Sequence, residues 1–197
     1  MTQTRRQFLK TTALATAAFC LAGSSLALAQ AVDQDELVKP GPLGDKILGD
    51  ENAPVTIVEY ASMTCGHCAN FHERTYPALK ADYIDTGKVK FIFREVYFDR
   101  FGLWASLVAR CGGQERFFGI TDLLMKSQQD WARAGDPVAI ADALRKTGRL
   151  AGLGDEQLNA CLQDEADAKE MIAWYQNNAS ADNIEGTPSF VINGTKY

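Results

Sequence analysis

The spacing of apolar and polar positions changes several times along this chain, and each change marks an element. From Val55 to Tyr60 the run Val-Thr-Ile-Val-Glu-Tyr is almost continuously apolar, the pattern of a strand buried on both faces of a sheet, with Glu59 as its one charge. Phe71, Thr75-Tyr76, Leu79 and Tyr83-Ile84 then fall at helical spacing, with Gly87 as a stop and Pro77 predicting a kink. Val89 to Val96 reads as a second strand, and strand, helix, strand makes a βαβ unit whose strands run parallel. From Phe101 to about Asp182 the period is helical. Leu103, Trp104, Leu107 and Val108 run into Cys111-Gly112-Gly113, and Phe117, Ile120, Leu123 and Leu124 form the next face. Asp136-Pro137 is an N-cap followed by proline at the first helical position, opening a helix over Val138 to Lys146. Asp155 is expected to cap a short helix holding Leu158, Cys161 and Leu162, and Glu165 to Asn178 supplies the last, with Ala168, Ile172 and Tyr175. These stripes read as core rather than as a cofactor site. A strand pattern returns in Thr187-Pro188-Ser189-Phe190-Val191-Ile192, where Pro188 is either a strand-edge proline or a cis-proline. The fold expected is α/β, with a helical subdomain inserted into the frame.

Both ends modify that picture. Arg5-Arg6 followed by Phe8-Leu9-Lys10, an uncharged segment to Ala29, and small residues at Ala27 and Ala29 read as a twin-arginine export signal over 1–29. The apolar run is Ala- and Thr-rich and short for a membrane span. Residues 30–52 are polar and punctuated by Pro40-Gly41-Pro42, Gly44 and Gly49, which predicts a linker or N-terminal arm. The frame then divides into a first part over 53–98, the insertion over 99–184 and a second part over 185–197. The signal carries Arg5, Arg6 and Lys10 and no acid, so its removal takes the net charge from −5 to −8. Such an acidic chain is no candidate for nucleic acid or for an anionic membrane surface.

The chemistry concentrates in Cys65-Gly66-His67-Cys68, between the first strand and the first helix. A thiol at a helix N-terminus meets unpaired N–H groups and the positive end of the helix dipole, which favour a thiolate, and two intervening residues let the second sulfur attack the first. The competing readings are half of a zinc site and a purely structural disulfide. Zinc needs about four ligands, but no second C-x-x-C follows, and His67 and His72 are the only histidines in the chain. Neither metal nor cofactor is expected. Glu59 lies six residues before Cys65 and is either turned to solvent at the sheet edge or held beneath the reacting cysteines. Export implies an oxidising compartment, and loss of Cys20 with the signal leaves four cysteines. If Cys65 pairs with Cys68, then Cys111 and Cys161 either form a second bridge, contributing on the order of 3–4 kcal/mol, or stand as two buried apolar residues; the bridge is the favoured reading.

An export signal, a C-x-x-C between strand and helix, a helical insertion and Gly186-Thr187-Pro188-Ser189-Phe190 opening a late strand together resemble the thioredoxin-fold disulfide oxidases of the DsbA-like family. The resemblance covers essentially the mature chain. It implies Cys65 as the exposed nucleophile, Cys68 as the buried resolving thiol and His67 as the residue that stabilises the thiolate. Thr187-Pro188 matches the cis-proline loop that, with Gly66, borders the substrate groove, and Glu59 matches a buried acid that moves a proton to or from Cys68. It further implies a periplasmic protein that introduces disulfides into reduced, exported proteins and is reoxidised by a DsbB-like membrane partner. The chain departs from the family in two places. The pair Gly66-His67 occurs in disulfide isomerases of this fold, whereas much of the best-known oxidase group has proline at the first position, so an isomerase or reductase stays open beside the oxidase. A non-catalytic peptide-binding protein is the alternative from another class. The chain also stops at Tyr197, where the family continues with a further strand and a helix, so truncation is expected.

Overall fold

The computed structural model describes residues 31–197. The expected export signal lies outside the described residues. A five-stranded mixed sheet has the order β1-β3-β2-β4-β5. Its centre is the expected βαβ pair, β2 (Val55–Ala61) and β3 (Val89–Glu95), parallel in the register Glu59↔Phe93. β4 (Ser189–Ile192) lies antiparallel on the other side of β2, with Glu59 opposite Phe190. Asn193 (φ 46) and Gly194 (φ 81) form the tight turn from β4 into β5 (Thr195–Lys196).

The stretch read as an arm does more than lie over the surface. It holds a short helix α1 (Gln34–Leu37) and β1 (Lys46–Leu48), which pairs antiparallel with β3. Three residues, only one of them buried, carry too little alternation for a strand to be read from sequence. Gly49 (φ 94) follows at once and turns the chain.

The helix after the cysteine motif breaks where Pro77 predicts. α2 (Gly66–Arg74) stops at Thr75, α3 (Tyr76–Leu79) carries the proline in its first turn, and a π-helical turn spans Lys80–Ile84. Carboxylate caps start the main helices of the insertion. Asp99 Oδ1 accepts from the N–H groups of Phe101 and Gly102 to open α4 (Arg100–Cys111), and Asp136 Oδ1 does the same for Val138 and Ala139 in α7 (Pro137–Leu150). Between them lie α5 (Gly113–Lys126) and α6 (Gln128–Ala132); α8 (Asp155–Leu162) follows α7. The cap of α8 is Gly154, with Asp155 one position inside, where its charge suits the helix N-terminus. At Gly148 a Cβ would lie 2.5 Å from Leu158 Cδ2, so the glycine sets how closely α7 and α8 approach.

Two apolar clusters cover the two faces of the sheet. Ile57, Ala61, Phe91 and Phe93 pack with α2, α3 and the inserted helices α4–α8. Val58, Tyr60, Ile92, Val96 and Val191 pack on the other face with Leu37, Tyr175 and Ile184. α9 (Glu165–Ala181) therefore lies across the sheet from the other inserted helices, although its sequence joins it to them. The insertion over 99–184 is in packing terms five helices on one face and a sixth that belongs to the frame.

One guanidinium organises the second face. Arg94, 3% exposed, donates to Tyr60 Oη at 2.9 Å and to the carbonyls of Leu37 and Lys39, lies 3.5 Å from the carboxylates of Asp45 and Asp182, and stacks 5.5 Å from the Trp174 ring. Tyr60 donates in turn to Asp182. A cation removed from water requires this many partners. The result joins the arm, the sheet and α9.

Candidate active site

Cys65 is the N-cap of α2, with extended backbone (φ −81, ψ 118) at the end of the β2–α2 loop. Cys65 and Cys68 are both free thiols; Cys65 is half-buried and Cys68 fully buried. Gly66 and His67 between them are exposed. A Cβ at Gly66 would meet nothing within 4 Å, so packing does not require glycine there. Thr187 and Pro188 stand opposite, joined by a cis peptide bond, and the Cys65 thiol donates to the Thr187 carbonyl at 3.3 Å. The loop 122 residues away in sequence is thus brought directly onto the motif.

The two sulfurs sit in opposed electrostatic settings. Burial alone pushes the Cys65 thiol up. The Thr187 side chain, the Cys68 N–H and thiol and the His67 N–H overcome this and hold its pKa below the ordinary thiol value. The Thr187 hydroxyl is buried with no hydrogen-bond partner, so a thiolate at Cys65 would supply the acceptor it lacks. At Cys68 burial dominates and pushes the thiol far up; Thr187 and the Ser62 backbone lower it only in part, and Cys65 raises it further. One sulfur is reachable and forms its thiolate more readily than an ordinary thiol; the other is buried and holds its proton. The part of His67 in this arrangement is played by its backbone N–H, while its side chain faces solvent.

The helical insertion reaches into the same loop. Gln128 of α6, 3% exposed, donates from Nε2 to the carbonyls of both Met63 and Cys65 at 2.9 Å. Thr64 donates from Oγ1 to Asp99 Oδ2 at 2.8 Å, so the carboxylate that caps α4 also holds the residue before Cys65. Neither contact is visible in sequence, because a glutamine and an aspartate in polar company carry no periodic signal.

Glu59 is fully buried and pairs with His72. Of the two sequence readings, solvated edge or buried beneath the site, the structure shows burial, since β4 covers the side of β2 that β3 leaves open. In sequence His72 reads only as a zinc ligand that lacks its companions. The signal for it was present: it lies four residues after Cys68, on the same helix face. Far from the motif, Cys111 and Cys161 are disulfide-bonded with Cα atoms 5.8 Å apart, the favoured of the two readings.

Comparison with known proteins bears on the fold and the family. A family model described as thioredoxin matches residues 43–197. The crystal structure of alpha-DsbA1 from Wolbachia pipientis superposes with a TM-score of 0.74 at 31% identity, covering 84% of this chain and 87% of that one. A Rickettsia typhi protein whose name provisionally makes it a protein-disulfide oxidoreductase is 35% identical over 153 residues. That match covers 77% of this chain but 56% of the relative, so the chain spans little more than half the relative's length. Disulfide bond formation protein D of Bacillus subtilis is 28% identical over 163 residues.

Proposed function

Because this chain belongs to the DsbA-like family of thioredoxin-fold protein-disulfide oxidoreductases, we propose that it works in the oxidising direction, transferring the Cys65–Cys68 disulfide to reduced, exported proteins. The observation that carries this reading is the asymmetry of the two thiols. A depressed pKa at Cys65 stabilises the reduced enzyme, and whatever stabilises the dithiol makes the disulfide a stronger oxidant.

In the oxidised enzyme a substrate thiolate attacks Cys65 Sγ. The Cys65–Cys68 bond breaks, its electron pair goes to Cys68, and that sulfur takes up a proton. A second thiolate of the substrate then attacks the substrate sulfur of the mixed disulfide and releases Cys65 as a thiolate. Substrate has lost two electrons and two protons; the enzyme holds the electrons as a dithiol. Burial of Cys68 directs both attacks to the Cys65 side. The Thr187-Pro188 loop and the open space at Gly66 border the groove that receives the substrate chain. Reoxidation falls to a DsbB-like membrane partner, and the twin-arginine segment over 1–29 would deliver the protein to the periplasm.

The test is the equilibrium potential of the Cys65–Cys68 pair against a glutathione series, together with two substitutions. Cys65→Ser is expected to abolish turnover, and Cys68→Ser to accumulate mixed disulfides with reduced substrate on a non-reducing gel. A potential near the oxidising end of the family range, about −120 mV, supports the oxidase, whereas one near −270 mV makes the protein a reductase or isomerase. Turnover that survives Cys65→Ser overturns disulfide exchange altogether and leaves a peptide-binding protein.

A further inference from the structure

Exchange between Cys65 and Cys68 does not by itself account for the buried pair Glu59–His72. Glu59 alternates with Ile57 and Ala61, so its side chain enters the sheet face that α2 covers. On α2, Cys68 and His72 are one turn apart and are the two residues of that helix that are buried. His72 Nε2 lies 3.2 Å from Oε1 and 3.0 Å from Oε2 of Glu59, and side-chain exposure is 1% and 0% for the two partners. One ring nitrogen within reach of both carboxylate oxygens assigns the hydrogen to Nε2 as a shared donor; Nδ1 is buried with no partner.

The surroundings make a polar pair here expensive. The His72 ring is 4.8 Å from that of Tyr76, 5.4 Å from Phe71 and 5.8 Å from Phe93, a setting that leucine would fill with no polar atom to satisfy. The other titratable groups facing the pair are few. Cys68 is one turn away on α2, and Tyr76 on α3 has its hydroxyl pushed up by burial and then by the Glu59 charge, with Asp122 of α5 adding to it. Lys46 of β1 lies beyond Phe93, its ammonium 5.4 Å over the Phe117 ring, and Glu95 at the end of β3 is held by Arg110 at 2.6 Å. β4 contributes Phe190 at this register. Among these groups His72 alone hydrogen-bonds Glu59.

We infer that His72 is a positioning residue that holds Glu59 as the buried proton donor and acceptor for Cys68. The inference rests on the disulfide-exchange reading above. When the Cys65–Cys68 bond breaks and Cys68 receives the electron pair, the Glu59 carboxyl gives up its proton, an S–H bond forms at Cys68, and the carboxylate left behind is held by the His72 Nε2–H. In the reverse direction the carboxylate takes the Cys68 proton as that sulfur becomes a nucleophile. Without His72 the charge left on Glu59 would be buried without the ring N–H that faces both of its oxygens.

The experiment follows reduction of the oxidised full chain by dithiothreitol in rapid-quench from pH 5.5 to 8.5, for the natural protein, His72→Leu and His72→Gln. Circular dichroism and a thermal melt establish that each variant is folded. His72→Leu is expected to slow reduction roughly tenfold at pH 7, less than the ~10²–10⁴-fold an acid–base group itself supplies because Glu59 is still present, and to move the pH midpoint. His72→Gln keeps an N–H toward Glu59 and is expected to restore the rate to within about threefold, while alkylation of Cys65 in the reduced form stays unchanged in both. A folded His72→Leu protein with the natural pH profile overturns the role, and so do equal losses in the two variants. Should His72→Leu not fold, the natural protein still decides. Its sequence holds two histidines, so the imidazole ¹⁵N resonances of His72 can be read directly. They are expected to differ between oxidised and reduced protein, and identical resonances at every pH overturn the inference. A natural protein that exchanges no disulfide at any pH is a different failure, one that removes the proposed function as well.

Discussion

Four residues in one helical turn hold two thiols of opposite character. Cys65 releases its proton more readily in the folded protein than unfolded, so in the reduced state its contribution to stability is fully present above the unfolded thiol pKa of about 8.5 and is lost as pH falls through the lower folded value. Cys68 binds its proton more tightly when folded, so its effect on stability turns downward above about pH 8.5. The reduced protein is therefore expected to gain in melting temperature over Cys65→Ser as pH rises from 6 to 8. Iodoacetamide should label Cys65 with a midpoint below that of a free thiol and leave Cys68 unlabelled; equal labelling of both would refute the asymmetry. At this scale the cysteines were legible because C-x-x-C spacing carries the chemistry in itself. The Glu59–His72 pair was not, since it requires knowing the face of a strand and of a helix together, and single-residue readings left Glu59 between two environments.

Among the elements, the helices with carboxylate caps and the two central strands were readable, because N-caps and continuous apolar runs are local signals. β1 was missed for its length, and the placement of α9 across the sheet was missed because helical period gives a face without saying against what it packs. Contacts between elements were equally hidden, and Gln128 is the case with most consequence. Gln128→Leu is close in volume but leaves the Met63 carbonyl without its side-chain donor and the Cys65 carbonyl with only the Ala69 N–H. The expected cost is about 1–3 kcal/mol in urea unfolding, with faster amide exchange around residues 62–66. An unchanged denaturation midpoint and unchanged exchange would show the clamp to be incidental.

Across the whole molecule, two long-range devices hold elements distant in sequence. The Cys111–Cys161 bridge joins α4 to α8 across a separation of 50 residues, and closing a loop of that length constrains the unfolded chain by about 4 kcal/mol in the loop-entropy model. Replacing both cysteines with alanine is expected to lower stability by about that amount, measured by denaturant unfolding without reductant in a background that carries Cys65→Ser and Cys68→Ser. A loss well below 1 kcal/mol would mean that the α4–α8 packing already supplies the constraint. On the other face Arg94 performs the comparable task by hydrogen bonds, gathering the arm, Tyr60 and Asp182 at one point.

The reach of α6 into the β2–α2 loop bears on how such proteins diverge. Gln128 grips the carbonyl of the nucleophile's own residue, so the inserted helices are no detachable lid. A chimaera that exchanges them between relatives would transplant part of the cysteine's anchorage, and its electron affinity would follow the donor of the helices as well as the donor of the four-residue motif.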